Sequence, residues 1–426
     1  MVTEKASPPS PTSAAAQHTS FFRQSGWLMI ANILGGMLMW MVHFLSKSTW
    51  VSAAEYGVFG TLLAVAMCVP TIPLQMVMAQ QTALGLATRR ERELAGTIRM
   101  LFLGTFLVAA ALAVVVFFFQ GAILQRWGIP NPAALWLTVG VVLFSLWMPL
   151  FWGLLQGQQN FLWLGWAMMS TAVGRISIAA IAVLVLHSAS TGMMVGVLMG
   201  LILSTLIGFW KTSSLWRVAP LPFDWRTVLG QIIPLMLGFC AFQFLFTADT
   251  LFVKAYFGAD ETGFYVCAGT LSRALMWLVG PLATVMFPRI VHSSAKAEKN
   301  NLMGLVLVGT AVLAICGVAG LTVMGPFIVR FVAKPSYVQV ATSVLPWYAG
   351  AMVPLALANV LLNNLLARSL FKIVPALCVL AIAYGFALTQ FHDSLIAVLQ
   401  TLGFFNLLLL ALCGWFTWTS PKQQAA

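Results

Sequence analysis

Charge is the scarcest commodity in this chain. Asp, Glu, Lys and Arg make up 8% of its 426 residues, against about 25% in an ordinary soluble domain, so a water-soluble globular fold is excluded. Acids are scarcer than bases, ten against 22. Cysteine is sparse too: Cys68, Cys240, Cys267, Cys316, Cys378 and Cys413 all lie inside apolar runs with no CxxC spacing. That pattern argues against a disulfide framework or a thiolate metal site and reads as small core hydrophobes. The five histidines are dispersed, and no HExxH, Walker A or GxSxG pattern occurs. No loop exceeds about 20 residues, which disfavours a membrane-embedded glycosyltransferase, ligase or polymerase with its catalytic extramembrane loop. Nothing in the sequence calls for a catalytic residue, a cofactor or a metal.

What is present is apolar. Hydrophobic residues reach 61% and mean hydropathy is +0.94. The apolar runs are continuous over about 20 residues or more, long enough for spanning helices and unlike the short alternating segments of a β-barrel. Twelve spans are predicted, at 24–45, 56–80, 97–119, 133–156, 161–186 and 191–210, then at 228–255, 262–288, 302–329, 341–367, 371–389 and 395–418. Between the two sets lies the polar break TSSLWRVAPLPFDWR, with Pro220 and Pro222. The expected fold is therefore an all-α integral membrane protein. Residues 1–20 form a disordered tail, 21–211 a six-helix bundle, 212–227 a linker, 228–418 a second six-helix bundle and 419–426 a short tail.

Basic residues favour the cytoplasmic side of a membrane protein. With a cytoplasmic amino terminus, fifteen of them fall on inner segments. Five fall outside: Lys47, Arg126, Lys254, Arg330 and Lys334; only Arg175 and Arg273 stay within the membrane. Shifting the frame by one span would reverse this bias, so both termini are predicted to be cytoplasmic. The net charge of +12 is thereby explained by orientation; the bases form no patch with stacking aromatics, so nucleic acid is not an expected partner.

The two halves carry an internal echo. Ala54-Glu55-Tyr56-Gly57-Val58-Phe59 resembles Asp260-Glu261-Thr262-Gly263-Phe264-Tyr265, each between the first and second span of its half. Prolines follow at Pro70, Pro73 and Pro281, and then the mixed-charge loops TRRERE and AKAEK. Six spans per half give both halves the same orientation, so the predicted pseudo-two-fold axis runs along the membrane normal.

The stretch FLWLGWAMMSTAVGRISIAAIAVLVL, residues 161–186, carries one charge, Arg175. An arginine near mid-bilayer costs about 2.5–3.5 kcal/mol on insertion scales. It must therefore face water, a partner or a substrate, or else hydrogen-bond a neighbouring helix. In the next span Gly192, Gly196, Gly200, Ser204 and Gly208 recur at every fourth position, a small-residue stripe expected to pack closely on another helix.

The opening FFRQSGWLMIANILGGMLMWMVHFLS, the loop AAEYGVFG and the stretch GLLQGQQNFLWLGWAMMSTAVGRI resemble the polysaccharide flippases of the multidrug/oligosaccharidyl-lipid/polysaccharide (MOP) superfamily, which includes O-antigen exporters. The resemblance covers nearly the whole chain in layout. It implies a V-shaped pair of bundles that opens alternately to either side, and moves lipid-diphosphate-linked sugars to the outer leaflet through a cavity lined with positive charge.

Arg175 and Arg273 are the candidates for that lining. Guanidinium suits phosphate because its forked donors engage two oxygens and stay charged when partly desolvated. Asp249, in the preceding span, is the acid nearest to Arg273 in sequence; it either pairs with that arginine or couples transport to an ion. Asn32, Gln243, Asn359 and Asn363 are weaker cavity candidates, open equally to interhelical bonding. The first six spans hold no acid well inside the bilayer, which favours an anionic substrate over the organic cations of a multidrug antiporter. The expected partners are a lipid-linked anionic glycan, membrane lipids and the glycosyltransferases or polymerase that make and use it, in a bacterial inner membrane. A monomer is compatible with the sequence.

Overall fold

A computed structural model describes residues 11–276, 302–368 and 370–419. The distal part of the eighth predicted span with Pro281, the loop at 295–299, residues 1–10 and residues 420–426 lie outside them. Among the described residues every regular element is helical. In chain order they are α1 Pro11–Met41, α2 Ala53–Met67, α3 Thr71–Ala87, α4 Glu91–Trp127, α5 Pro132–Gly157, α6 Phe161–Leu184, α7 Ala189–Arg217, α8 Trp225–Tyr256, α9 259–276, α10 Leu302–Val332, α11 Val338–Ala367, α12 Val374–Gln390 and α13 Leu395–Thr419. Eleven helices among them, counting α2 with α3, are long and apolar enough to cross a membrane. The chain is a multi-pass helical membrane protein.

Several boundaries differ from the sequence expectation. Pro11 opens α1, so the helix takes in half of the stretch expected to be a disordered tail. The second span is broken: Pro70 is extended at φ −77°, ψ 101°, and without an N–H it cannot continue the ladder. Ser52 starts α2 by accepting from the Glu55 amide at 3.1 Å, and Asn131 does the same for α5 ahead of Pro132. Gly128 ends α4 in the left-handed region at φ +54°, where a side chain is penalised.

The linker is shorter than 212–227. Thr212 and Leu215 are buried in a continuous α7, and only residues 218–224 join it to α8. Arg99 makes this extension possible: its Nη2 donates to the carbonyls of Trp216 (2.9 Å) and Val218 (3.0 Å). It thus satisfies acceptors that a helix end leaves unpaired. The Leu221 amide then donates to the Arg92 carbonyl at 3.0 Å, and Gly96 leaves room for this part of the linker, since a Cβ there would lie 2.8 Å from the Leu221 oxygen.

The first half packs α6 on α7, α5 on α7, α1 on α6 and α3 on α5; in the second half α11 packs on α13 and α10, and α8 on α12. The α6–α7 seam is built on the predicted stripe. A Cβ at Gly196 would sit 2.5 Å from the Arg175 carbonyl, and one at Gly200 2.4 Å from the Thr171 carbonyl, so the backbones touch. The connections at 48–52, 128–131, 185–188, 257–258 and 391–394 lie on one side, here the far face. Their residues meet there: Trp50 stacks on His187 at 3.7 Å, and Arg126 sits over Tyr256, itself 4.0 Å from His392. The start of α1 and the linker lie on the opposite tail face.

Across the halves, α8 packs against α2 and α3. At the far face further cross-half contacts close the seam. Lys334 Nζ donates to the Val51 carbonyl at 2.6 Å and Ser46 to that of Val332 at 3.2 Å, while Gly57 and Gly263 meet backbone to backbone.

Candidate functional site

Arg273 is neutralised inside the second half. Its Nη2 donates to Asp249 Oδ1 at 2.8 Å and Oδ2 at 3.1 Å, and to the Thr250 hydroxyl at 2.9 Å, while Nε reaches the Phe246 carbonyl at 3.2 Å. Asp249 is fully buried and accepts two more bonds, from Tyr265 Oη at 2.8 Å and from Tyr348 Oη. The guanidinium also lies over the Phe246 and Tyr348 rings. The result is an ion pair with both partners hydrogen-bonded, holding α8, α9 and α11 together. A buried pair of this kind offers little net charge to a ligand, because each partner has replaced its lost hydration with the other.

Arg175 is different. Midway along α6, it is 7% exposed, has no acidic partner among the described residues, and its Nε has no hydrogen-bond partner there. Its electrostatic neighbours are His43 and Tyr56. His43 is brought in because α1 tightens after Met41 into a 3₁₀ turn, Val42–Lys47, that packs on α6. His43 Nδ1 and the Tyr56 hydroxyl bond at 2.8 Å. Two other buried donors bordering this group lack partners among the described residues: Trp40 Nε1, whose ring neighbours His43, and Tyr337 Oη, whose ring lies 6.2 Å from that of Tyr56. A buried unpartnered donor costs about 1–3 kcal/mol, so a cluster of them beside an unneutralised guanidinium is an arrangement suited to an acceptor-rich, anionic guest.

The convergence of two free arginines expected from the sequence is thus absent among the described contacts: Arg273 is occupied by Asp249, and Arg175 keeps company with His43 and Tyr56. The remaining candidates are scattered. Gln243 Nε2 donates to the Met67 carbonyl at 2.7 Å, bridging the halves where α2 ends at Pro70. Asn363 bonds Asn359 within α11, to its carbonyl and its side-chain oxygen, both at 2.8 Å. Asn32 is exposed on α1. His43 is buried at 7% exposure, and Lys47 lies 5.7 Å over the Phe331 ring.

The sequence reading missed the tyrosines. Of six in the chain, Tyr56, Tyr265, Tyr337, Tyr348 and Tyr384 are buried to 1% exposure or less. Tyrosine in a membrane protein usually sits at the interface with its hydroxyl wet. Placement of Tyr348 well inside an apolar span, with Tyr56 and Tyr265 at the edges of two others, was the available signal that their hydroxyls serve a polar network.

Comparison with known proteins places this architecture. Residues 21–294 match the family described as polysaccharide biosynthesis protein, well over half of the chain. No curated protein matches by sequence. Among solved structures, the lipid II flippase MurJ in an inward closed conformation aligns over 93% of this chain and 88% of its own, at 16% identity and TM-score 0.68. An inward-facing multidrug resistance MATE transporter of the MOP superfamily aligns over 92% and 100%, at 12% identity and TM-score 0.68, and an outward-facing one over 93% and 94%, at 11% and 0.60. The helical fold in two bundles read from the sequence is the fold of these transporters. The chain belongs to the polysaccharide biosynthesis protein family, and its fold is similar to that of these solved transporters.

Proposed function

We propose that the protein is a flippase that carries a lipid-diphosphate-linked oligosaccharide, a precursor of cell-surface polysaccharide, across the bacterial inner membrane by alternating access, without catalysing a reaction. The observation that carries this reading is Arg175: buried, with no acid paired to it among the described residues, and beside the His43–Tyr56 pair, whose ring neighbours Trp40 and Tyr337 carry unpartnered donors. In this reading the tail face is cytoplasmic. The diphosphate lodges at Arg175, the sugars lie in the water-filled cleft toward Asn32, and the lipid tail stays in the bilayer. Glycosyltransferases supply the substrate and a polymerase takes it up.

The antiporter alternative needs a carboxylate free to hold a cation. Asp249 is instead engaged by Arg273, Tyr265 and Tyr348, which counts against it. The test is complementation of a strain that depends on the protein. With Arg175→Glu, membrane insertion is expected to be normal, surface glycan to be lost, and lipid-linked oligosaccharide to accumulate on the cytoplasmic side. Normal surface glycan from a correctly inserted variant would overturn the reading.

A further inference from the structure

Tyr56 stands at a junction of three structural roles. It is the residue before Gly57, whose backbone abuts Gly263 in the far-face seam: a Cβ on Gly57 would lie 3.0 Å from the Gly263 nitrogen. Its hydroxyl pairs with His43 Nδ1 of its own half, and Thr270 of α9, in the other half, lies near the same hydroxyl. Its ring packs edge-on against Tyr337, also in the other half, which in turn packs on Phe264 at 5.0 Å. Lastly, it neighbours Arg175. One fully buried side chain therefore ties the candidate anion site to the contact that shuts the far face.

We propose that Tyr56 is a clasp between the halves that an anion at Arg175 releases. The proposal rests on the reading of Arg175 given above. A phenol has a single proton to donate. In the closed far face the hydroxyl is engaged in the His43 pairing, with the Tyr337 ring holding the side chain from across the seam. Phosphate oxygens drawn to Arg175 are stronger, charged acceptors than an imidazole nitrogen, and they recruit the Tyr56 hydroxyl. The phenol then leaves its cross-half partners, and the Gly57–Gly263 contact loses its nearest support. A ligand shifts an equilibrium only by binding one state better than the other; here the differential contact is the Tyr56 hydroxyl, given to phosphate only when the clasp is undone. The far face thus opens in response to cargo, while the empty carrier keeps it shut.

Cys267, 1% exposed and an electrostatic neighbour of both Tyr56 and Tyr337, is a native reporter in the seam. In full-length protein reconstituted into vesicles, with the other five cysteines replaced by alanine, maleimide labelling of Cys267 is followed with inorganic pyrophosphate or farnesyl diphosphate as probes. Binding of radiolabelled probe is measured in parallel. The expected result is at least about fivefold faster labelling with probe, the low end of coupling between sites. Tyr56→Phe, which keeps the ring, and Thr270→Val, which removes the cross-half neighbour, each label fast without probe, and Arg175→Gln labels slowly with or without it. Probe that binds the parent but leaves labelling unchanged overturns the clasp and leaves the anion reading standing. So does slow, probe-responsive labelling in both Tyr56→Phe and Thr270→Val. Equal absence of probe binding in the parent and in Arg175→Gln overturns the anion reading itself. A response to farnesyl diphosphate alone assigns the trigger to the lipid-borne form; a response to both probes assigns it to the diphosphate.

Discussion

Gly57 and Gly263 face each other backbone to backbone, and they occupy the same place in the two halves of the chain. Two equivalent residues can touch in this way only where the axis relating the repeats passes between them, so the echo between 54–59 and 260–265 marks the pseudo-two-fold axis at the far face. The contact has little tolerance: a Cβ on Gly263 would stand 2.1 Å from the Ala53 carbonyl and one on Gly60 2.2 Å from Val266.

Gly263→Ala is accordingly expected to wedge the far face. Overpacking costs about 1–3 kcal/mol, enough to move a balanced carrier from mainly closed to mainly open on that side. Spin labels at the exposed Thr49 and Ser336 should report a longer mean distance in Gly263→Ala than in the parent. Gly104→Ala, where a Cβ has nothing within 4 Å, should leave the distance unchanged.

The Asp249–Arg273 pair is expected to behave as a structural element. Removing one partner of a buried pair costs about 3–5 kcal/mol, because the other charge is left unsatisfied. Asp249→Asn and Arg273→Gln should each lower the thermal midpoint in detergent by several degrees. The double variant should recover part of that loss, and by more than additivity allows. A double variant as unstable as the sum of the singles would show that the two residues act independently.

The fold was largely legible from the residues, while the site was legible only in part. Span positions follow from apolar runs, the α6–α7 seam from glycines four apart, and the symmetry axis from a six-residue echo. Each of these is local in the chain. What was not legible depends on long-range placement. The carbonyls that Arg99 satisfies lie more than a hundred residues away, so the true extent of α7 could not be read from α7 alone. Whether Arg273 faced a cavity or Asp249 turned on which helix faces met across α8, α9 and α11, and the tyrosines that decided it come from two of those helices. The break at Pro70, by contrast, was visible as a proline and still passed over, because prolines are tolerated in spans when neighbours satisfy the freed groups.

The start of α8 gives a pH dependence. Asp224 caps the helix, accepting from the Thr227 amide at 3.2 Å and from its hydroxyl at 2.5 Å, and these bonds hold its carboxyl below the ordinary carboxylate value. The depressed value means that the unfolded chain takes up a proton at higher pH than the folded one. The cap therefore contributes fully above the unfolded pKa of about 3.9, and its contribution is lost as pH falls through the folded value. The difference in thermal midpoint between the parent and Asp224→Ala should be constant from pH 7 to about 5 and shrink below about 4. A difference that grows on acidification would contradict the assignment.

Charge alone does not account for what Arg175 offers. If the site only needed a cation, Arg175→Lys would preserve transport, since lysine keeps the charge. The guanidinium differs in presenting five donors in a rigid plane that can engage two phosphate oxygens at once, whereas an ammonium is a compact point charge with a costlier hydration shell to lose. Burial at 7% exposure with no acid paired to it among the described residues makes that second difference matter, because a strongly hydrated ion is less suited to a buried site. Arg175→Lys is therefore expected to lose at least about tenfold of flippase activity, equal to some 1.4 kcal/mol. Arg175→Gln should lose more, and Arg175→Glu should abolish activity. The readout is the rate at which a fluorescent lipid-diphosphate oligosaccharide becomes accessible to quencher on the far side of reconstituted vesicles. Full activity in Arg175→Lys would reduce the site to a simple positive charge, and full activity in Arg175→Gln would remove it from the path of the substrate.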